Sequence, residues 1–292
     1  MSADLLGLEL LSDHGCFGGR QQFYRHASRE IGLPMRFALF VPPRPRGLLV
    51  FLAGLTCTEE TFTMKAGAQA AASRLGLALL MPDTSPRGTE VAGQAESWDF
   101  GLGAGFYLDA VEAPWAQHWR MESYLIAELL PGVQQHLAQA HGLEPQRPGI
   151  FGHSMGGHGA LTLALRHPSL FRSVSAFAPI CAPMQCPWGQ KAFGGYLGQS
   201  DASHAIWAGH DATALMLARG SAAYAGGILI DQGLADPFLA TQLKPEAFEV
   251  ACQVAGQDLT LRRHAGYDHG YYFIASFVED HLRHHAGQLL AV

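Results

Sequence analysis

Within RPGIFGHSMGGHGALTLAL (Arg147–Leu165) the chain changes character twice. A polar lead-in reaches the apolar run Gly149-Ile150-Phe151. Glycines then surround a single serine, and an apolar-rich segment with helical spacing follows. Glycine weakens the interior of a strand or a helix, so Gly152, Gly156, Gly157 and Gly159 around Ser154 mark a handover between elements that needs space. The segment Gly152-His153-Ser154-Met155-Gly156 fits G-x-S-x-G, the sharp strand-to-helix turn that lifts a nucleophilic serine above a sheet. The pattern alone also fits a glycine-rich surface turn. The strand before it and the helix after it favour the elbow.

The rest of the chain alternates in the same way. GLLVFLAG (Gly47–Gly54) and LALLMPD (Leu77–Asp83) are continuous apolar runs, as expected of strands buried on both faces. One helix is expected between them, from about Thr58 to Leu75. MRFALFVPP reads as a strand near an antiparallel edge. GIFGH, SVSAFAP, GGILIDQ and DLTLRRH supply four more strands. Further helices are expected from Met121 to about Ala140, ending at Gly142, and from about Tyr271 to His285. The pattern predicts an α/β domain spanning residues 1–292, with a mostly parallel central sheet, helices on both faces, and its site beyond the carboxyl ends of the strands.

Composition excludes several functions. The chain has 292 residues, 48% of them hydrophobic and only 15% charged, with a net charge of −6 and no Lys/Arg block. Neither nucleic acid nor an anionic membrane surface is the expected partner. No apolar run is long enough to span a bilayer. MSADLLGLELLSDHG lacks the features of a signal peptide, so a cytoplasmic location is expected. Five cysteines (Cys16, Cys57, Cys181, Cys186 and Cys252) make no disulfide framework. Cys181 and Cys186 have no second pair to complete a zinc pattern, so no metal is expected.

A serine nucleophile needs a base, and the base an acid that orients it, here in the chain order serine, acid, histidine. His269 sits between Asp268 and Gly270, after the last strand and at the mouth of the last helix. His281, His284 and His285 fall on what reads as the polar side of that helix. Asp231 ends a strand, where a carboxylate often ties down its own loop. Asp236 lies in the loop proper, with Pro237 fixing the backbone behind it, and is the better-placed acid. Met155 N–H and Leu55 N–H are the expected oxyanion donors. Thr56 and Glu59 match a capping box. That would place Cys57 in the first turn of a helix, where its thiolate is favoured.

These segments also carry a resemblance. FLAGLTCTEETF, PDTSPRG, WDFGLGAGFYLDA, FGHSMGGHGAL, SAFAPICAPMQCPWGQKAF, DQGLADPFL and GYDHGYYFIASFVEDHLRHHA together resemble the S-formylglutathione hydrolases of the esterase D family. They cover the chain in order from near Phe51 to the last helix. The resemblance implies an α/β-hydrolase fold and a cytoplasmic, cofactor-free thioesterase that is a homodimer. It implies hydrolysis of S-formylglutathione to formate and glutathione in formaldehyde disposal, through Ser154, Asp236 and His269. Trp98, Phe100, Phe106, Tyr107 and Trp188 are candidate walls of a small acyl pocket with Cys57 nearby. Lys65, Arg87 and Lys191 are candidate partners for glutathione carboxylates. A broad short-chain carboxylesterase and an acyltransferase on the same scaffold are the alternatives.

Overall fold

The computed structural model describes residues 6–291. The first five residues of the stretch read for a targeting signal, and Val292, lie outside the described residues. Among the described residues nine strands form one sheet in the order β1-β2-β3-β5-β4-β6-β7-β8-β9. They are β1 (Glu9–Cys16), β2 (Gly19–Ala27), β3 (Pro34–Val41), β4 (Gly47–Leu52), β5 (Leu77–Pro82), β6 (Gly149–His153), β7 (Ser173–Phe177), β8 (Ile228–Gly233) and β9 (Leu259–His264). The first three pair antiparallel, and β3 pairs antiparallel with β5. From β5 through β4 to β9 every pairing is parallel.

Among the described residues the α-helices are α1 (Glu59–Lys65), α2 (Gln69–Leu75), α3 (Met121–Ser123), α4 (Leu130–His141), α5 (Met155–Arg166), α6 (Pro187–Leu197), α7 (Asp201–Ala208), α8 (Ala212–Arg219), α9 (Pro245–Ala255) and α10 (Tyr271–Leu289). Strands β4, β5, β6, β7 and β8 are buried at every residue, which explains the unbroken apolar runs of β4 and β5. Their core includes Phe51 stacked on Phe62 at 3.6 Å between ring centroids, with Phe151 edge-on to both.

The expected α/β class and parallel sheet hold, and Gly142 does end α4 in the left-handed conformation at φ 66°. Three expectations change. The single helix from Thr58 to Leu75 is two, separated at Gly67, which has φ +67° and breaks the helical course. The strand read near the antiparallel edge, β3, has β1 and β2 outside it. His281 and His285 do not lie on a polar face, because both are fully buried under α10 against the sheet. His285 meets Ser173 Oγ at 2.6 Å and Ser175 Oγ at 2.9 Å, while His281 meets Ser175 Oγ at 2.8 Å and Asp231 Oδ2 at 3.2 Å. Serines on β7 turn those histidines inward, so buried partners satisfy rings that a helix-by-helix reading assigns to solvent.

Candidate active site

The turn after β6 is as tight as the glycines imply. A Cβ on Gly152 would stand 2.2 Å from Gly156 O, and one on Gly156 1.9 Å from Leu52 O. Gly157 is pressed on Pro179 and Gly159 on the Tyr107 ring. Between them Ser154 is held at φ 58°, ψ −119°, a strained backbone for a residue with a side chain. Its N–H donates to Phe177 O at 3.0 Å, fixing the turn to β7. Ser154 is 3% exposed and lines a cavity of about 130 Å³ with Gly54, Leu55, Cys57, Trp98, His153, Trp188, Phe238 and His269.

His269 follows β9 at the entrance to α10, as expected, and its Nδ1 is 2.5 Å from Asp236 Oδ2. A carboxylate can only accept, so this contact puts the imidazole proton on Nδ1 and leaves Nε2 for the serine. Phe238 N–H donates to Asp236 Oδ1 at 2.8 Å, and Gln232 Nε2 donates to Oδ2 at 3.3 Å. The side chain of Asp236 is fully enclosed. Asp231 has other partners. Arg262 binds it through both Nε and Nη2, at 2.6 and 2.5 Å, and His264 and His281 also contact it. Burial works to raise its carboxyl pKa, but hydrogen bonds from His281 and Arg262 overcome that and hold it well below the usual range.

The loop after β4 carries Leu55. Tyr107 Oη donates to Ala53 O at 2.8 Å, Thr84 Oγ1 donates to Cys57 O at 2.5 Å, and Arg87 Nη2 donates to the same oxygen at 3.2 Å. Thr56 N–H donates to Gly103 O at 2.9 Å, with Thr56 at φ 67°. These partners all belong to the irregular excursion between β5 and α3, and they clamp the loop from one side. Among the described residues, Leu55 N–H has no backbone acceptor, and Met155 opens α5, where first-turn N–H groups lack intrahelical partners. Gly54 packs closely on the nucleophile: a Cβ there would lie 3.2 Å from Ser154 Cβ.

Several expectations need correction here. Thr58, not Thr56, caps α1, accepting from Glu60 N–H at 3.3 Å while Thr61 Oγ1 accepts from Thr58 N–H at 3.1 Å. Cys57 therefore lies before the helix, and burial pushes its thiol pKa up rather than down. It does line the cavity. Trp98 and Trp188 line it too, edge-to-face at 5.5 Å. Phe106 does not: it is fully buried against His158. Tyr107 is also buried and serves the loop, and Phe100 stacks on Tyr196 at 4.5 Å. Lys191 is outside the lining, its ammonium on Asp99 and Ser97. Arg87 is paired with Asp83, and Lys65 Nζ sits 5.8 Å from the centre of the Tyr271 ring. Phe238 and His153 are lining residues that the sequence reading missed. Phe238 had a signal, since it follows Asp236-Pro237 in the acid loop.

The family described as "Putative esterase" matches residues 28–284. S-formylglutathione hydrolase of Mus musculus is 49% identical, covering 98% of this chain and 100% of that protein. The protein of the same name from Arabidopsis thaliana is 47% identical, covering 97% and 98%. The structure of an S-formylglutathione hydrolase from Agrobacterium tumefaciens superposes with a TM-score of 0.88 at 43% identity, covering 96% of this chain and 99% of that one.

Proposed function

The chain belongs to the esterase family, among its S-formylglutathione hydrolases, and from that premise we propose that it is a serine thioesterase hydrolysing S-formylglutathione to formate and glutathione through Ser154, His269 and Asp236. The observation that carries the assignment of residues is the Asp236–His269 contact at 2.5 Å, with His269 and the strained Ser154 lining one small cavity. His269 Nε2 takes the Ser154 proton as Oγ attacks the formyl carbon. The N–H groups of Leu55 and Met155 hold the oxyanion, and the thiol leaves with the proton from His269. Water then releases formate by the same route. The cycle needs no metal or cofactor, and we place it in a cytoplasmic homodimer.

A cavity of about 130 Å³ walled by Trp98, Trp188 and Phe238 suits an acyl group carrying only hydrogen. One observation favours a broader short-chain carboxylesterase: among the described residues the lining holds no lysine or arginine to read glutathione charge. The test is kcat/KM for S-formylglutathione beside S-acetylglutathione and p-nitrophenyl acetate. The formyl thioester should exceed the acetyl one by more than the ~1–3 kcal/mol that a methylene usually decides. Equal values for all three support the broader esterase.

A further inference from the structure

One face of α6 carries Trp188, Lys191 and Gly195, three and then four residues apart, with Tyr196 beside the last. The turn 97–100 of the excursion between β5 and α3 lies on that face. Its base is pinned by packing. The Phe100 ring stacks on Tyr196 at 4.5 Å, and a Cβ on Gly195 would stand 2.4 Å from Phe100 Cζ. Tyr196 Oη also accepts from Gly101 N–H at 2.9 Å. The tip is held otherwise. Ser97 and Phe100 bridge each other, which leaves Trp98 and Asp99 at the apex. Among the described residues, no backbone hydrogen bond ties either apex residue to another element. Side chains do so. Lys191 Nζ donates to Ser97 Oγ at 2.7 Å and to Asp99 Oδ1, and Ser97 Oγ donates to the same carboxylate oxygen. Burial acts to raise the Asp99 carboxyl pKa, but hydrogen bonds from Lys191 and Ser97 outweigh it and hold it below the usual range, so the carboxylate is charged. Between these two residues the Trp98 indole meets Trp188 edge to face at 5.5 Å and lines the cavity, although it is 55% exposed.

We propose that Lys191 is a positioning residue for acyl selectivity: by latching Ser97 and Asp99 to α6 it holds Trp98 in place as one wall of the acyl cavity. The proposal rests on the thioesterase reading and adds to it what fixes the size of the pocket. A half-exposed indole on a two-residue apex is poorly held by one edge-to-face contact, since a single aromatic pair is weak. An isolated surface ion pair would hold it little better. Here three groups share the contact, and the Asp99 side chain is only 14% exposed. The residues on both sides of Trp98 are bound to the same ammonium, so the indole cannot leave Trp188 without breaking that contact. Lys191 itself is outside the cavity lining and acts only through Trp98. Once the latch is cut, the apex is free to carry the indole outward, and the cavity of about 130 Å³ opens to longer acyl groups. Attack by Ser154 on a small acyl group does not depend on the wall and continues.

The experiment measures kcat/KM of the full-length enzyme for p-nitrophenyl acetate, p-nitrophenyl butyrate and S-formylglutathione, with sites counted by fluorophosphonate titration of Ser154. Lys191→Met should lower the acetate-over-butyrate ratio at least about fivefold, by a gain on butyrate rather than a loss on acetate. Lys191→Arg, which still donates to a carboxylate and a hydroxyl, should recover most of the ratio. Asp99→Asn should repeat the shift of Lys191→Met. In a Trp98→Ala background Lys191→Met should add nothing, because the ring it positions is gone. Lys191→Met and Asp99→Asn cut the latch from opposite sides, so if one gives no titratable serine the other decides. An unchanged ratio overturns the proposal, and so does a shift that persists without Trp98. A loss confined to S-formylglutathione, with the ester ratio unchanged, would make Lys191 a reader of glutathione charge and overturn it as well. Equal wild-type values for acetate and butyrate would remove the small pocket together with its latch. Failure of the wild-type enzyme to label at Ser154 would instead remove the thioesterase reading beneath both.

Discussion

Asp231 and Asp236 leave the same strand, and only their surroundings separate their roles. Asp236→Asn should lower kcat by about four powers of ten, because an amide at that position stabilises the wrong imidazole tautomer, with little change in the urea midpoint. Asp231→Asn should do the opposite. It breaks a buried pair with Arg262, costing on the order of 3 kcal/mol, at the low end because Arg262 is about a third exposed. Steady-state kinetics and urea titration of both variants check the assignment, and the reverse pattern would make Asp231 the acid. Cys57 tests a correction. Its pKa is raised, so inactivation by N-ethylmaleimide should be slow at pH 7 and quicken up to about tenfold per pH unit as the thiolate forms. The rate constant of activity loss at pH 7, 8 and 9 measures this, and Cys57→Ser should resist throughout. Ser154, His269 and Asp236, the proposed nucleophile, base and acid, were legible as candidates because each sits at a strand-end turn with its own local signature. His153 was not legible as a cavity residue, since the direction in which the residue before the serine points shows only in three dimensions.

Among the elements, the long excursion between β5 and α3 is where sequence reading falls shortest. Its bridges are isolated, Ser97 to Phe100, Gly101 to Ala104 and Asp109 to Arg120, so it offers no period of 2 or 3.6 to detect. It nevertheless supplies Trp98 to the cavity and Tyr107, Thr84, Arg87 and Gly103 to the clamp on the loop after β4. β1 escaped for a different reason: most of it faces solvent, and ELLSDHGC has no apolar alternation. Aromatic residues in the excursion look alike in sequence and differ in position. Trp188→Ala, from α6, should enlarge the acyl pocket and narrow the formyl-over-acetyl preference. Phe106→Ala should leave that ratio unchanged and cost about 3–5 kcal/mol of stability, as loss of a fully buried ring does. The kcat/KM ratio and the urea midpoint of the two variants distinguish a wall from a core residue.

At the scale of the whole molecule, histidines govern the response to acid. Burial holds His158 at about 3, with His210 adding to the effect. It holds His210 and His284 at about 4, and it pushes His153 and His285 well below the ordinary value and His281 below it. Each of these rings is neutral in the fold and titrates near 6.5 once unfolded, so below that pH the unfolded chain binds more protons. Their stabilisation is complete above about pH 6.5 and is lost as the pH falls toward the folded values, by about 1.4 kcal/mol per ring for each unit. The urea midpoint should therefore fall steeply between pH 6.5 and 5, and a flat profile there would show that these rings are not kept neutral. The parallel sheet was legible from its apolar runs. The inward turn of His281 and His285 was not, because their partners, Ser173, Ser175 and Asp231, lie on other elements.

The clamp on the loop after β4 also bears on how the enzyme comes into being. The centre draws on turns near residues 55, 154, 236 and 269, and on an excursion that packs against the loop after β4 and against Tyr196 of α6. Long-range closures of this kind come late, because their entropy must be met before their contacts form. A refolding chain should regain its circular dichroism first and its catalytic competence last. The interval between the two signals reports the docking of the excursion, and changing Tyr107 to Phe should lengthen it by removing the hydroxyl that reaches Ala53.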